Sequence, residues 1–439
     1  MSTVILGGGI IGASIGYYLS ANRPEGEIHI VEQSPELFTA ASGYAAGFLA
    51  RDWFEPSVAP LGAMSFDLHH ELAAEQGGDK KWGFMKGTAF NLDTVAQRKR
   101  GGPRGDDWLR TGTSRAETAA GSEDTTPVEF PEWLTMQKEG ILEKISQGET
   151  VAQADPLRLS QFLIDGAISR GAKLHNPAQA TEIIKDGNGT ITGVKIVSLD
   201  SKKESIIPCT NLVLSMGPWT PQVLRDLFPA SQVSFDISPL AGYSLVVRSP
   251  RYTMEHEKNV YRGSSHAVFT THPPSCGFSP EIFLREGGEI YIAGLNNPAM
   301  KLPSCSADTK QLFDPSEMQK LKDVAVRLMG GLPKDANEAT DEVANTDDLE
   351  IIREGLCFRP VGNTGNLGVP TIGRVGDYSL GGVKANPNGG VFIAAGHGAW
   401  GISLSLGTGK VVSEMIKKQK PSVDVSGLAV QDKIPSPKL

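Results

Sequence analysis

Residues 3–32 constrain this chain more than any other stretch. Thr3–Leu6 is a short apolar strand that runs into Gly7-Gly8-Gly9-Ile10-Ile11-Gly12. A helix-period segment follows (Ile11, Ile15, Tyr18, Leu19), and a second strand, Glu27–Val31, ends at Glu32. G-x-G-x-x-G alone is a weak signal. Between a strand and a helix, with an acidic residue closing the next strand, it reads as a dinucleotide-binding βαβ unit. Gly7 permits the tight turn, Gly9 lets the backbone approach a pyrophosphate, and Gly12 lets the helix pack on the strand. The free N–H groups and positive helix end at Gly9–Gly12 suit that pyrophosphate. Ile10 and Ile11 in the turn and Gln33 after the strand complete this set of candidate contacts. The Glu32 carboxylate would accept from ribose hydroxyls and repel a 2′-phosphate, so FAD or NAD fits better than NADP.

The 439 residues suffice for two closely packed domains, and 39 % hydrophobic with 21 % charged residues is ordinary for a globular enzyme. A net charge of −8, with no basic stripe interleaved with aromatics, argues against a nucleic-acid partner. Cys209, Cys276, Cys305 and Cys357 are scattered, without zinc-ligand spacing or a disulfide framework. No metal site is expected, and a reducing compartment, the cytoplasm, is. No apolar run reaches membrane-spanning length. The segment Val4–Leu19 lacks a basic n-region and is broken by five glycines, so it is the first βα unit rather than a signal peptide. Pro437-Lys438-Leu439 matches a peroxisomal tripeptide only in its last two residues and reads as a disordered tail.

Further along, Ala40–Leu49 is rich in small residues that allow close backbone approach to something flat or bulky. Segment 64–76 reads as an amphipathic helix, and 97–127 as a mobile surface insertion. A helix is expected from Asp155-Pro156 to Arg170. Thr181–Ile184 and Thr192–Val197 alternate around Asp186-Gly187-Asn188-Gly189, a hairpin signal. Leu212–Leu214 is a buried strand. Tyr243–Val247, Glu281–Leu284 and Glu289–Ala293 are strands, and Lys310–Met329 reads as helix. Gly390–Ala395 enters Gly396-His397-Gly398-Ala399-Trp400-Gly401 and then a helix to Lys417. This second strand–glycine turn–helix suits a long cofactor whose two ends each need a helix N-terminus; NAD gives no reason for it. The pattern predicts an α/β (mixed α+β) fold. A discontinuous Rossmann-like FAD-binding domain (1–50, 150–222, 355–420) is interleaved with an antiparallel-sheet substrate domain (51–149, 223–354), and 421–439 forms a tail.

The motifs together resemble the FAD-dependent oxidoreductase superfamily of D-amino-acid oxidase, glycine oxidase and sarcosine oxidase. Their carriers are Gly7–Gly12 with Glu32, Ala41-Ser42-Gly43 with Gly47–Trp53, Ala152–Pro156, Gly217-Pro218-Trp219, Cys357-Phe358-Arg359-Pro360, Pro370–Gly373 and Gly396–Gly401. Within it the chain is most similar to a fungal and plant "DadA-like" group that includes a yeast FAD protein linked to endosomal trafficking. The resemblance implies that Ser42 and Gly43 touch the FAD diphosphate or ribityl chain. It places Ala46, Gly47, Phe48 and Leu49 along the flavin ring and Ala180 near adenine, with Gly217 and Trp219 flanking the dinucleotide. His397, Gly398, Ala399 and Trp400 would contact the isoalloxazine, in a turn closed by Gly396 and Gly401. For Trp219 and Trp400, core packing is an equal alternative.

Three residues are candidates for chemistry: Arg359 for the substrate carboxylate, Tyr243 on the substrate side, and His397 at the ring. A surface ion pair for Arg359 and a structural role for Tyr243 are the plain alternatives. Sarcosine-oxidase-like members bond a Cys to the flavin 8-methyl carbon, with an Arg four residues earlier; Arg353 and Cys357 keep that spacing. A buried, unreacted thiol and non-covalent FAD are the other reading. The implied reaction is hydride transfer from an amine-bearing carbon of an amine or amino acid to flavin N5, with O2 as acceptor giving H2O2. Two other readings stand beside it: an FAD-holding protein acting in trafficking or assembly, endosome-associated or peroxisomal, and an NAD-dependent dehydrogenase.

Overall fold

Strands from both ends of the chain build one sheet. β1 (Ser2–Leu6) is buried throughout and pairs in parallel with β2 (Glu27–Val31) and β11 (Asn211–Leu214). β7 (Lys173–His175) and β18 (Gly390–Ala395) continue the parallel set, and β17 (Thr371–Arg374) closes it antiparallel, in the order β17-β18-β11-β1-β2-β7. Strands covered on both faces need apolar side chains at every position, so Val4–Leu6, Leu212–Leu214 and Val391–Ala395 at the centre read as apolar runs rather than alternating ones. Because β1, β11 and β18 are parallel neighbours, the turns at Gly7, Ser215 and Gly396 all leave the same edge of the sheet. Ligands of open α/β sheets bind at that carboxyl edge.

The structure is a computed structural model, and it describes residues 1–21, 26–93, 127–146, 148–233, 237–270, 277–334, 336–340, 345–362 and 369–430. Of the expected insertion at 97–127 only Pro127 is among them; Cys276 and Pro437-Lys438-Leu439 also lie outside the described residues.

The helix Ile10–Ser20, α1, packs beside the helix Pro156–Ser169, where the Tyr17 and Phe162 rings meet at 5.9 Å. Asp155 caps the second of these by accepting the Arg158 N–H at 3.0 Å, and Pro156 occupies the first helical position, where a missing N–H costs nothing. β8 (Ala178–Lys185), β9 (Ile191–Ser198) and β10 (Glu204–Pro208) form a small antiparallel sheet. Its hairpin turns where Asp186 Oδ1 accepts the N–H groups of Asn188 and Thr190, both at 2.9 Å.

The large sheet combines β3 (Phe48–Ala50), β4 (Met85–Asp93), β6 (Val151–Gln153), β12 (Ile237–Arg248), β13 (Ser265–Thr270), β14 (Glu281–Arg285), β15 (Glu289–Asn297) and β16 (Glu350–Gly362). Its order is β16-β12-β15-β14-β13-β4-β6-β3, with β5 (Ile141–Lys144) added on β4. One face packs on the helix Pro315–Met329: Ile282, Leu284, Tyr243 and Leu356 join Leu321 and Leu328 there. The other face, carrying Phe283, Tyr291 and Ala293, turns to the core shared with α1 and Trp400. The expected boundary between 354 and 355 falls inside β16, which stays in this sheet over its whole length.

Two helices start later than the sequence suggests. Over 310–329 the α-helix begins at Pro315, because Asp314 caps it through the Ser316 N–H; Ser306–Leu312 is a separate 3-10 segment. After the second glycine turn, Gly398–Trp400 is a 3-10 turn and the α-helix begins only at Ser405. The glycine turn therefore lines the edge of the sheet without being the helix N-terminus itself.

Candidate active site

A solvent-open cavity runs along the shared carboxyl edge of β1, β11 and β18, and Gly9 and Gly398 both line it. The two glycine turns thus serve one elongated space. The N–H groups in the first turn of α1 have no carbonyl of their own helix to bond. Ile10 donates its N–H to Ser42 Oγ at 2.9 Å, which makes Ser42 the side-chain cap of α1, while Gly9, Ile10 and Ile11 line the cavity. Gly7, at φ +100°, turns where a Cβ would meet the Ser215 carbonyl oxygen at 2.6 Å.

Glu32 closes one end. Its carboxylate accepts the Gly8 and Ser34 N–H groups, each at 2.8 Å, and burial raises its pKa above the usual carboxylate value against those bonds. Gln33 and Ala180 stand beside it, and Gly217 and Trp219 form the opposite wall. Trp219 lines the cavity with its indole N–H donated at 2.7 Å to the Pro303 carbonyl, so its ring is fixed from outside. Adding a Cβ to Gly217 would meet nothing within 4 Å.

Cys357, Arg359, His397, Ala399 and Gly401 line the other end. His397 is not placed as an acid or base. Its Nε2 lies 3.1 Å from Thr408 Oγ1, and burial pushes its pKa down to about 3, so the ring stays neutral. Burial likewise raises the Cys357 thiol pKa, with Arg359 and Arg353 acting the other way. Arg353 does not reach the cavity; it donates to the Gly43 carbonyl at 3.0 Å and lies 5.1 Å over the Tyr44 ring.

Five of the expected contacts stand behind the wall rather than on it. Gly12 packs on the Gly7 carbonyl and Gly43 on the Phe38 carbonyl, where a Cβ would come within 1.9 and 2.2 Å. Leu49 is fully buried, Gly396 bends the chain at φ +84°, and Trp400 sits in an aromatic cluster with Phe48, Trp53 and Phe54.

A smaller cavity adjoins the first, sharing Ala45, Arg359, Ala399 and Ile402 with it. Ala46, Gly47 and Phe48 form one wall; Glu281, Tyr291 and Ala293 form the sheet side. Arg359 Nη1 donates to Asn296 Oδ1 at 2.6 Å, across Gly242, where a Cβ would lie 2.1 Å from that nitrogen. Gly242 therefore exists to let the guanidinium cross β12. Tyr243, one residue on, points to the opposite face, since successive strand residues alternate. Its hydroxyl accepts the Asp314 N–H at 3.1 Å inside the second core, so Tyr243 is a structural residue and not the substrate-side one that the sequence suggests. An isolated glycine inside a strand, here Gly242, is the signal that could have pointed to the right neighbour.

The loop between the two cavities is held carbonyl by carbonyl. Gly43 O accepts from Arg353, Tyr44 O from the Tyr291 hydroxyl at 3.0 Å, and Ala45 O from Arg285 Nη2 at 2.6 Å. Ala46 O accepts from Arg285 at 3.0 Å and from Gln153 Nε2 at 2.6 Å. Arg285 is fully buried with its guanidinium 4.6 Å over the Tyr291 ring, and burial lowers its pKa. None of Asn296, Arg285, Tyr291 or Glu281 carries a local sequence signature of a site.

A cavity with the half-buried Glu32 carboxylate at one end, the capped start of α1 at its middle and the second glycine turn at its far end fits an extended dinucleotide such as FAD. Among the described residues, no three His, Cys, Asp or Glu side chains are grouped to hold a metal ion. No helix among them is long and apolar enough to cross a membrane. The sequence profile of the "FAD dependent oxidoreductase" family, DAO, matches residues 2–415. A Schizosaccharomyces pombe protein named as an oxidoreductase is 26 % identical over 94 % of this chain and 93 % of its own length. The 4-methylaminobutanoate oxidase of Paenarthrobacter nicotinovorans is 24 % identical over 98 % of this chain and 45 % of its own. The solved structure of glycine oxidase from Geobacillus kaustophilus superposes with a TM-score of 0.64 at 21 % identity, covering 98 % of each chain.

Proposed function

The chain belongs to the FAD-dependent oxidoreductase (DAO) family, which includes enzymes that act on amines and amino acids, and from that premise we propose that it oxidises a C–N bond of a small amine-bearing carboxylate. The single observation that carries this reading is Arg359, a guanidinium on the wall common to both cavities. FAD, when bound, supplies the acceptor for the hydride leaving the carbon beside nitrogen. Glu32 would hold the ribose hydroxyls, Ser42 and the first turn of α1 the diphosphate, and Cys357, His397 and Ala399 the ring end. The nucleotide-binding part is assigned to 1–50, 150–222 and 355–420, and the rest of the large sheet to the substrate. The acceptor proposed for the reduced cofactor is O2, giving H2O2.

Arg359 orients the substrate by pairing with its carboxylate while Asn296 holds the guanidinium from the side. No side chain is required to take a proton from a substrate that arrives as the neutral amine, consistent with a neutral His397. Anaerobic mixing with a panel of amines and amino acids, read by bleaching of the flavin absorbance, tests the reading. Arg359→Met is expected to keep its FAD and weaken the apparent affinity for the reducing substrate roughly 10- to 100-fold. A flavin left oxidised by every compound sinks the proposal and favours a scaffold.

The cofactor is proposed to be non-covalent. A thiolate is the nucleophile needed at Cys357, and burial favours the protonated thiol there. Acid precipitation is expected to release the yellow colour into the supernatant; colour retained in the pellet and lost in Cys357→Ser would establish the covalent bond instead.

A further inference from the structure

The chain between β15 and the helix Pro315–Met329 leaves the large sheet and crosses to the nucleotide end of the large cavity. Both of its roots are fixed on the substrate side. Asn296, near the end of β15, accepts from the Arg359 guanidinium. At the other root Asp314 donates its N–H to the Tyr243 hydroxyl at 3.1 Å, and the Phe313 ring lies 5.7 Å from that of Tyr243. Between the roots, Pro303 and Ser306 meet residues of the nucleotide part. The Pro303 carbonyl accepts the Trp219 indole N–H at 2.7 Å, and Ser306 Oγ lies 3.2 Å from Thr39 Oγ1. Thr39 Oγ1 is in turn 2.9 Å from Ser34 Oγ, and the Ser34 N–H is donated to Glu32. A run of hydroxyls thus joins the segment to the carboxylate assigned to ribose. Cys305 lies in the field of that carboxylate: burial raises its thiol pKa, and the Asp308 and Glu32 charges add to the rise.

Trp219, Thr39 and Ser306 all line the large cavity, so both contacts close over the same space. The segment between them has little burial of its own. From Pro303 to Leu312 only Thr309 is buried, and Ser304, Lys310, Gln311 and Leu312 are exposed. A stretch with so few buried apolar contacts opens at far lower cost than the core strands on either side of it. The two hydrogen bonds to the nucleotide part therefore weigh heavily in keeping it shut.

We propose that Pro303–Leu312 is a strap that retains the cofactor, latched by Trp219 on Pro303 and by Thr39 on Ser306. Thr39 and Ser306 thereby join the residues around the adenosine end of FAD, and 303–312 serves the cofactor although its chain neighbours on both sides serve the substrate. The proposal rests on the FAD assignment alone; neither Arg359 nor the amine reaction enters it. FAD leaves only when the strap lifts, so weakening either latch speeds its dissociation.

The test uses the FAD-loaded protein. Ser306→Ala removes one latch, and Trp219→Phe removes the other while keeping a ring on the cavity wall. Release of FAD on dilution, followed by the rise of free-flavin fluorescence, is expected to be about 3- to 10-fold faster in each variant than in the wild type. Trypsin gives a second readout at Lys310, exposed on the strap, against Lys202, exposed in the turn between β9 and β10. At saturating FAD, cleavage at Lys310 relative to Lys202 is expected to rise in both variants. Release within about twofold of wild type in both variants overturns the proposal. So does faster release with unchanged cleavage at Lys310, which marks a direct contact with FAD and no strap. Should a variant fail to load FAD, wild-type protein stripped of FAD and then reloaded is compared instead: a Lys310 to Lys202 ratio that falls on reloading supports the strap, and an equal ratio sinks it.

Discussion

Gly12→Ala is expected to yield protein that purifies without FAD. A Cβ at position 12 would lie 1.9 Å from the Gly7 carbonyl oxygen and 3.0 Å from Ser215 Oγ. Neither neighbour has room to give. Gly7 donates its N–H to Val31 O at 2.9 Å and holds φ +100°, and Ser215 Oγ donates to Leu6 O at 2.9 Å. The helix α1 must therefore lift from β1, at an overpacking cost of about 1–3 kcal/mol or more. Lifting it also withdraws the first-turn N–H groups from the cavity, so the loss falls on cofactor binding as well as on stability. The ratio of flavin to protein absorbance measures the first, and a denaturant midpoint the second. Gly187→Ala is the control, since a Cβ there meets nothing within 4 Å. A Gly12→Ala protein with full flavin content would falsify the role given to this turn.

Acidification is expected to destabilise the protein steeply below about pH 6.5, through histidines that fold only as neutral rings. Burial depresses His69 and His266 from 6.5 to about 4 and His397 from 6.5 to about 3. The unfolded chain takes up these protons near pH 6.5, whereas the folded chain refuses them until the lower values. Stability is thus fully present above the unfolded value and is lost progressively as pH falls toward the folded one. Between about pH 7.5 and about pH 5 each ring contributes a loss of roughly 2 kcal/mol, together about 6 kcal/mol. That is comparable to the whole stability of many domains, about 5–15 kcal/mol. Glu32 works in the opposite sense, because its raised carboxyl favours the proton in the folded state and lessens the loss. Urea unfolding at a series of pH values checks this, with about three protons taken up on unfolding near about pH 5. A midpoint that stays level across that interval would remove the buried-histidine account.

The buried histidines also mark where sequence reading stops. His69 is fixed by the Ile402 carbonyl at 3.1 Å, 333 positions away, and His397 by Thr408 across a helical turn. Nothing local to either residue distinguishes a packed imidazole from a working one. The same limit applies to Tyr243 and Gly242, where a shift of one residue decides which face of β12 meets the cavity.

What the sequence determined by itself is the nucleotide-binding start: Gly7, Gly9, Gly12 and Glu32 lie within one βαβ unit, where short-range chain geometry ties spacing to position. The hairpin at Asp186–Gly189 and the cap at Asp155 belong to the same class, each being settled within a few residues. The tertiary structure alone decided that Gly398 and Gly9 line the same cavity, because that depends on β11 pairing with both β1 and β18. It alone put Glu281 and Arg359 on one small cavity and Asn296 on the Arg359 guanidinium, and put Arg285, Tyr291 and Arg353 on the carbonyls of residues 43–46. Such groupings come from the register of strands far apart in the chain, and long-range register leaves no periodic trace in the residues that it brings together.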